Sequence, residues 1–217
     1  MRAATIVLAL VMGLGSAASE VSAQEEGEGV AKPKRHFRVD RPAALSDAEA
    51  LTVYSQILDE IVAGYRLSGD ATAERYRTWR RFNKAPYRSA THGERFVNNY
   101  ANDIGKAYGK YDDAGTMPVG TILAKDSFAV TSRGDVFTGP LFLMEKMEPG
   151  FLPEARDWRY TMIMPDGSLF GQTKGPGSEQ VEFCITCHRA AGDDADDLFF
   201  VPDDYRIRIL NLNLNSQ

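Results

Sequence analysis

The fold class is indicated most clearly by residues 158–172, which read WRYTMIMPDGSLFGQ. Every second residue from Trp158 to Met164 is aromatic or a methionine, and this period of two is typical of a β-strand. The turn-forming sequence Pro165-Asp166-Gly167 follows, and residues 168–172 can return as a partner strand. The stretch therefore predicts an antiparallel hairpin. Residues 120–131 and 136–144, upstream of it, are also rich in strand-forming residues.

The N-terminal half carries helix signals instead. Ser46 and Glu49 have the spacing of a capping box, and apolar residues at helical spacing follow them. The basic segment 71–81 is also expected to be helical. Thr91 and Glu94 repeat the capping-box spacing and predict another helix. The apolar residues expected on one side of that helix are Phe96, Val97, Tyr100, Ile104 and Tyr108.

This order of elements predicts an α+β fold with an antiparallel β-sheet. N-terminal helices come first, the strands follow, and a short C-terminal helix contains the two cysteines. We expect a single domain over residues 46–210, helical to about residue 112 and β-rich after it. Residues 211–217 are expected to form a loosely attached tail.

The N-terminus has the pattern of a secretory signal peptide. A positive start and an apolar run precede Val21-Ser22-Ala23, which fits a small-x-small cleavage site. We expect a signal peptide over residues 1–23, a flexible lead-in over 24–45 and a periplasmic location. An uncleaved N-terminal anchor is the alternative. The mature chain is expected to have no membrane span, and its formal net charge of -5 gives no indication of nucleic-acid binding.

The strongest motif is Cys184-Ile185-Thr186-Cys187-His188. On a helical turn, positions i, i+3 and i+4 lie on one face. The motif can therefore present two thiols to the edge of a porphyrin and one imidazole to its iron. The sequence predicts one covalent haem c, attached through Cys184 and Cys187 and ligated by His188.

Two other uses of the cysteines fit less well. A structural zinc site needs four ligands, and the remaining histidines, His36 and His92, do not have ligand spacing. A thioredoxin-like site is expected near a βαβ unit, whereas this motif follows antiparallel strands near the C-terminus.

The second axial position of the iron is left open by the sequence. His92 is expected in an exposed helix-capping turn, and the methionines are expected in the core. We therefore expect an open or weakly occupied position that admits small ligands. The candidates by residue type are Met117, Met144, Met147, Met162, Met164 and His92.

Over roughly residues 91–191 the chain resembles the cytochrome P-460 family of bacterial periplasmic haem proteins. The resemblance rests on MPVGTILAKD at 117–126, GPLFLMEKM at 139–147 and DWRY at 157–160, followed by the CxxCH motif. It implies a mainly antiparallel sheet with helices, usually in a homodimer. Some members oxidise hydroxylamine, and others, the cytochromes c′-beta, bind nitric oxide or carbon monoxide.

The resemblance also implies roles for individual residues. Lys125, in Gly-Thr-x-x-x-Lys, matches the lysine that hydroxylamine-oxidising members cross-link to the porphyrin; an exposed strand lysine is the alternative. Glu145 lies where the family has a distal carboxylate that can act as general base, or it pairs with Lys146 at the surface. Apart from the resemblance, Arg95 is expected early in the helix after Thr91, where it could contact a haem propionate or an anionic ligand or be an ordinary surface charge.

An acidic cluster follows the motif. Its members are Asp193, Asp194, Asp196 and Asp197. We interpret it as a solvated loop or as a docking patch for a soluble electron-transfer cytochrome.

Three functions follow, in order of preference. The first is a possible hydroxylamine oxidoreductase-type haem enzyme acting on a small nitrogen species. The second is a nitric oxide-binding protein without turnover. The third is a plain electron carrier, which requires a firm sixth ligand.

Overall fold

The computed structural model describes residues 38–207. The signal peptide predicted over 1–23 and the tail predicted over 211–217 lie outside this range. The predicted lead-in is described only from residue 38. There the chain is bonded to the sheet, because the Ala43 N–H donates to the Val130 carbonyl at 2.8 Å and Pro42 forms a bridge with Thr131.

The fold is α+β with an antiparallel sheet and a few helices, as the sequence predicts. Within residues 38–207 the helices are α1 (Asp47–Arg66), α2 (Ala71–Arg75) and α3 (Glu182–His188). The strands of the same range are β1 (Arg80–Arg81), β2 (Tyr87–Ser89), β3 (Arg95–Ala101), β4 (Ile122–Val130), β5 (Val136–Thr138), β6 (Leu141–Lys146), β7 (Trp158–Ile163) and β8 (Leu169–Gln172). Short 3-10 segments connect them, among them Ile104–Asp113.

All eight strands belong to one sheet with the order β1-β3-β4-β6-β7-β8. β2 pairs with the other half of β3, and β5 pairs with β4. Every pairing is antiparallel. The topology is therefore a set of hairpins and short returns, which local connections can form.

The capping box predicted at Ser46 is confirmed and starts α1. The Ser46 N–H donates to Glu49 Oε2 at 2.8 Å, and Ser46 Oγ accepts from the Glu49 N–H at 3.4 Å. The helix buries Tyr54, Ile61 and Tyr65 against one face of the sheet. α1 thus covers the sheet face that does not carry the cysteine helix.

A buried carboxylate fastens α1 to the sheet. Asp126 on β4 accepts hydrogen bonds from the hydroxyls of Tyr54 and Tyr76 and from the Asn98 amide. Burial raises the pKa of Asp126, and these three donors act in the opposite direction.

The hairpin predicted from residues 158–172 is confirmed as β7 and β8. The Gly167 N–H closes the turn on the Met164 carbonyl at 2.9 Å, with Gly167 at φ 81°. A Cβ at this position would lie 2.5 Å from the Cβ of Leu67, at the end of α1. Glycine is therefore required both by the backbone conformation and by the packing of the turn.

The helix predicted after Thr91 is wrong, because these residues form a turn followed by β3. Gly93 and Glu94 have φ of 73° and 62°, a left-handed conformation that cannot start a right-handed helix. Phe96 of β3 packs toward α1, whereas Val97 faces the other core cluster. Because both faces of β3 are buried, apolar residues recur in adjacent pairs four positions apart and imitate a helical pattern.

The helix predicted over residues 71–81 is also shorter than expected. α2 ends at Arg75, a 3-10 turn covers Tyr76–Thr78, and β1 begins at Arg80. The region before residue 112 is therefore partly sheet and not wholly helical.

Candidate functional site

Helix α3 brings the three residues of the CxxCH motif to one place. Cys184 and His188 are buried and Cys187 is half-buried. The two cysteines form no disulfide. Cys184 and His188 both line a cavity between α3 and the sheet.

The cavity is mainly apolar and contains about 570 Å³ of space between protein atoms, counted to its mouth. Its apolar lining side chains are Leu123, Ala124, Phe142, Leu143, Met144, Leu198 and Phe199. Its polar lining side chains are His92, Asn99, Tyr100, Tyr108, Lys125, Tyr160, Thr161 and His188.

The imidazole of His188 is oriented by a backbone carbonyl. His188 Nδ1 lies 2.9 Å from the Asp197 oxygen, and because a carbonyl only accepts, Nδ1 carries the proton. The Nε2 lone pair is then the one suited to a metal. Histidines that ligate metals are generally held in this way through the second ring nitrogen.

The loop that supplies this carbonyl is fixed by Asp196. Asp196 Oδ1 pairs with Lys146 Nζ at 2.7 Å, and its own carbonyl accepts from Trp158 Nε1 at 2.8 Å. Asp196 and Asp197 both have left-handed backbone conformations, with φ of 51° and 60°. Both are 2% exposed. The acidic cluster is thus not uniformly a solvated loop or patch, since two of its four members are structural.

Tyr160 places a buried hydroxyl group in the cavity wall. Its ring centre lies 5.3 Å from that of His188. Among the described residues, its buried hydroxyl has no hydrogen-bond partner. A buried hydroxyl facing a cavity without a partner is costly, which favours a bound group that can satisfy it.

Lys125 lies on β4 and also lines the cavity. Burial lowers the pKa of its amine to about 8, and the nearby Cys187 sulfur acts weakly in the opposite direction. A larger fraction of this amine is therefore neutral at mildly alkaline pH than for an ordinary lysine. The structure thus brings Lys125 to the cysteine motif, 59 positions before Cys184 in the chain, as 184 − 125 = 59.

The protonation of Cys184 distinguishes this site from a thiol redox site. Burial raises the pKa of the Cys184 thiol to about 12. Reactive cysteines of thioredoxin-like motifs have lowered pKa values in electropositive, partly exposed surroundings. Cys184 is instead a buried neutral thiol beside an apolar cavity.

Two other residues singled out from the sequence lie elsewhere. Glu145 forms an ion pair with Arg159, its register partner on β7, and is not among the described residues that line the cavity. The surface pairing considered for Glu145 and Lys146 does not occur, because Lys146 pairs with Asp196. Arg95 begins β3 and lines a separate hollow near Asp40. Neither residue is brought to the cysteine motif.

Of the residues considered for the second axial position, Met144 and His92 line the cavity. The expectation of an exposed His92 is wrong, since its side chain is buried at 6% exposure. Its ring centre lies 6.4 Å from that of His188. The sequence shows that a histidine is present, but the direction of its side chain depends on the left-handed turn at Gly93 and Glu94.

The residues present fit a covalent haem. The motif provides two thiols and an oriented imidazole, and the cavity is mainly apolar. Among the described residues, the buried Tyr160 hydroxyl has no hydrogen-bond partner, so a bound group could form a hydrogen bond with it. Residues 38–207 contain no cluster of three or more His, Cys, Asp or Glu side chains that could hold a metal ion. A haem needs none, because the porphyrin supplies four of the iron ligands.

No protein-family model matches the chain, and no curated protein is significantly similar to it. Among residues 38–207 there is also no helix with the length and apolar character to cross a bilayer.

Proposed function

We propose that this protein is a mono-haem c-type cytochrome, with the haem bound through Cys184 and Cys187 and the iron ligated by His188. The observation that carries the proposal is the orientation of His188 beside the cavity, with Nδ1 bonded to the Asp197 carbonyl at 2.9 Å. When bound, haem supplies a redox-active iron whose ligands and surroundings the protein controls.

The proposed activity is binding or oxidation of a small nitrogen species, hydroxylamine or nitric oxide. Lys125 supports it. The P-460 resemblance implies that this lysine lies next to the porphyrin, and its side chain lines the same cavity as His188. Because burial lowers the pKa of its amine to about 8, a substantial fraction of Lys125 is neutral at mildly alkaline pH and can accept a proton there.

Nitric oxide binding without turnover is the second candidate, and one observation favours it. The described residues that line the cavity include no carboxylate, since Glu145 is paired with Arg159 outside it. An apolar site without a carboxylate base suits retention of a neutral gas better than repeated proton removal.

The proposal further includes export to the periplasm, a soluble cytochrome as electron partner and a homodimer.

Haem attachment is tested by expressing the full chain with a c-type haem-attachment system. The denatured protein should retain one haem, measured by haem staining and the pyridine haemochrome spectrum. Cys184→Ala with Cys187→Ala should lose it, whereas Thr186→Ala, an exposed position in the same motif, should keep it. A wild-type chain without retained haem would refute the proposal.

The role of Lys125 is tested on the same holoprotein. Proteolysis followed by mass spectrometry shows whether the haem peptide containing Cys184 also carries the peptide containing Lys125. A joined peptide, with a red-shifted reduced Soret band that Lys125→Met abolishes, supports the hydroxylamine-oxidising type. Separate peptides and an ordinary spectrum support gas binding.

A further inference from the structure

We infer that His92 is the second axial ligand of the iron in the resting protein, on the opposite side from His188. This inference rests on the haem proposed above. It replaces the expected open position with one that a small ligand reaches only after His92 leaves.

His92 is held in a well-braced turn between β2 and β3. The Glu94 carboxylate pairs with Arg38 at 3.0 Å and with Arg88 at 3.4 Å. The Glu94 N–H donates to the Ser89 carbonyl at 3.0 Å, and the Gly93 carbonyl accepts from the Val39 N–H at 2.8 Å. The position of the histidine is thus set by the sheet edge and not by a loose loop.

The ring of His92 is oriented in the same manner as that of His188. Its Nδ1 lies 2.9 Å from Ser89 Oγ and 3.3 Å from Thr91 Oγ1, and its ring packs edge-on against Phe142 at 4.9 Å. When these hydroxyl oxygens accept from Nδ1–H, Nε2 is the ring nitrogen that carries the lone pair and can act as a metal ligand. Both imidazoles thus have a hydrogen-bond partner at Nδ1, the Asp197 carbonyl for His188 and the Ser89 hydroxyl for His92.

The spacing of the two rings matches direct ligation. With metal–nitrogen bonds of about 2 Å and ring centres roughly 1 Å behind each nitrogen, two imidazoles on one iron have centres about 6 Å apart. The observed separation is 6.4 Å. A histidine that only hydrogen bonds to an iron-bound ligand needs roughly 2–3 Å more, because the ligand and a hydrogen bond lie between.

Met144 provides the matched comparison. It lines the same cavity from β6 and is also a ligand type that haem iron accepts. Its side chain is part of the apolar core cluster, however, whereas His92 and His188 are the two imidazoles among the described residues that line the cavity. Met144→Leu keeps the apolar volume and removes only the thioether.

The occupied position has a consequence for ligand binding. If the form with His92 dissociated makes up 0.1–10% of the protein, the apparent affinity for an external ligand falls by roughly 10- to 1,000-fold. Removing His92 should restore that factor.

The test uses the full-length holoprotein and two readouts, the spin state by optical and electron paramagnetic resonance spectra and carbon monoxide affinity of the reduced form. Wild type and Met144→Leu should be low-spin. His92→Ala should be high-spin, bind carbon monoxide roughly 10- to 1,000-fold more tightly and return to low-spin when imidazole is added. Ser89→Ala, which keeps the ligand but removes one support, should increase carbon monoxide affinity by a smaller factor.

A high-spin wild-type protein overturns the inference while leaving the covalent haem intact. A low-spin wild type that Met144→Leu, and not His92→Ala, converts to high-spin overturns it in favour of the thioether. Absence of retained haem in the wild type overturns both this inference and the proposed function.

Discussion

The burial of Lys125 predicts how much its replacement changes the free energy of unfolding. We expect Lys125→Met to stabilise the haem-free chain at pH 7, because methionine keeps most of the apolar stem and removes a charge that burial disfavours. Lowering the pKa from 10.5 to about 8 corresponds to about 3 kcal/mol. The side chain is only half-buried, so solvent in the cavity reduces the expected gain to about 2–3 kcal/mol.

The sign of the pH dependence follows from proton binding. The folded chain has the lower pKa for Lys125, so between pH 8 and 10.5 the unfolded chain binds more protons. The free energy of unfolding of the wild type should therefore rise with pH across this window through this residue. In Lys125→Met that rise is missing, and the two proteins should approach equal stability near pH 10.5.

The assay is urea unfolding of the chain produced without haem attachment, from pH 6 to 10.5. The difference between variant and wild type isolates Lys125, since the other titrating groups are shared. Lys106→Met, at an exposed position, is the matched control and should show no such trend. A constant difference across the pH range, or a less stable Lys125→Met at pH 7, would contradict the reasoning.

Three further predictions concern the surroundings of the site. Lys146→Met should lower the free energy of unfolding by about 3–5 kcal/mol in urea titrations, because it leaves Asp196 buried without its cation; unchanged stability would contradict it. Glu145→Gln should change stability by less than about 1 kcal/mol and leave the haem spectrum as it is, since Glu145 pairs with Arg159 away from the cavity. Gly167→Ala should lower the melting temperature, at a cost of at least about 1 kcal/mol, because of its positive φ and the contact with Leu67.

The parts of the fold that follow local rules could be predicted from the sequence. The capping box at Ser46 and the turn at Gly167 each depend on residues close in the chain, and both are confirmed. The helix prediction over β3 is wrong because the two buried faces of this strand remove the alternation that identifies a strand. Its position between β4 and the edge strands β1 and β2 is a property of the whole fold, not of residues 95–101.

The same division applies to the site. The CxxCH motif is local, and the structure places its histidine and first cysteine on the cavity. His92, in contrast, points inward because Gly93 and Glu94 are left-handed, and Asp197 orients His188 through a backbone carbonyl that any residue type could provide. The Glu145 register could not be predicted, since its partner Arg159 is set by the pairing of β6 with β7.

The burial of Cys184 has a consequence for biogenesis. Cys184 is 8% exposed, and the loop that follows α3 is tied by Asp196 to strands made earlier in the chain. For the proposed haem to be attached, both thiols must be within reach of the attachment enzyme, which requires that the segment from α3 onward be undocked at that stage. In the proposed cytochrome, haem insertion and the final packing of this segment would then be one event.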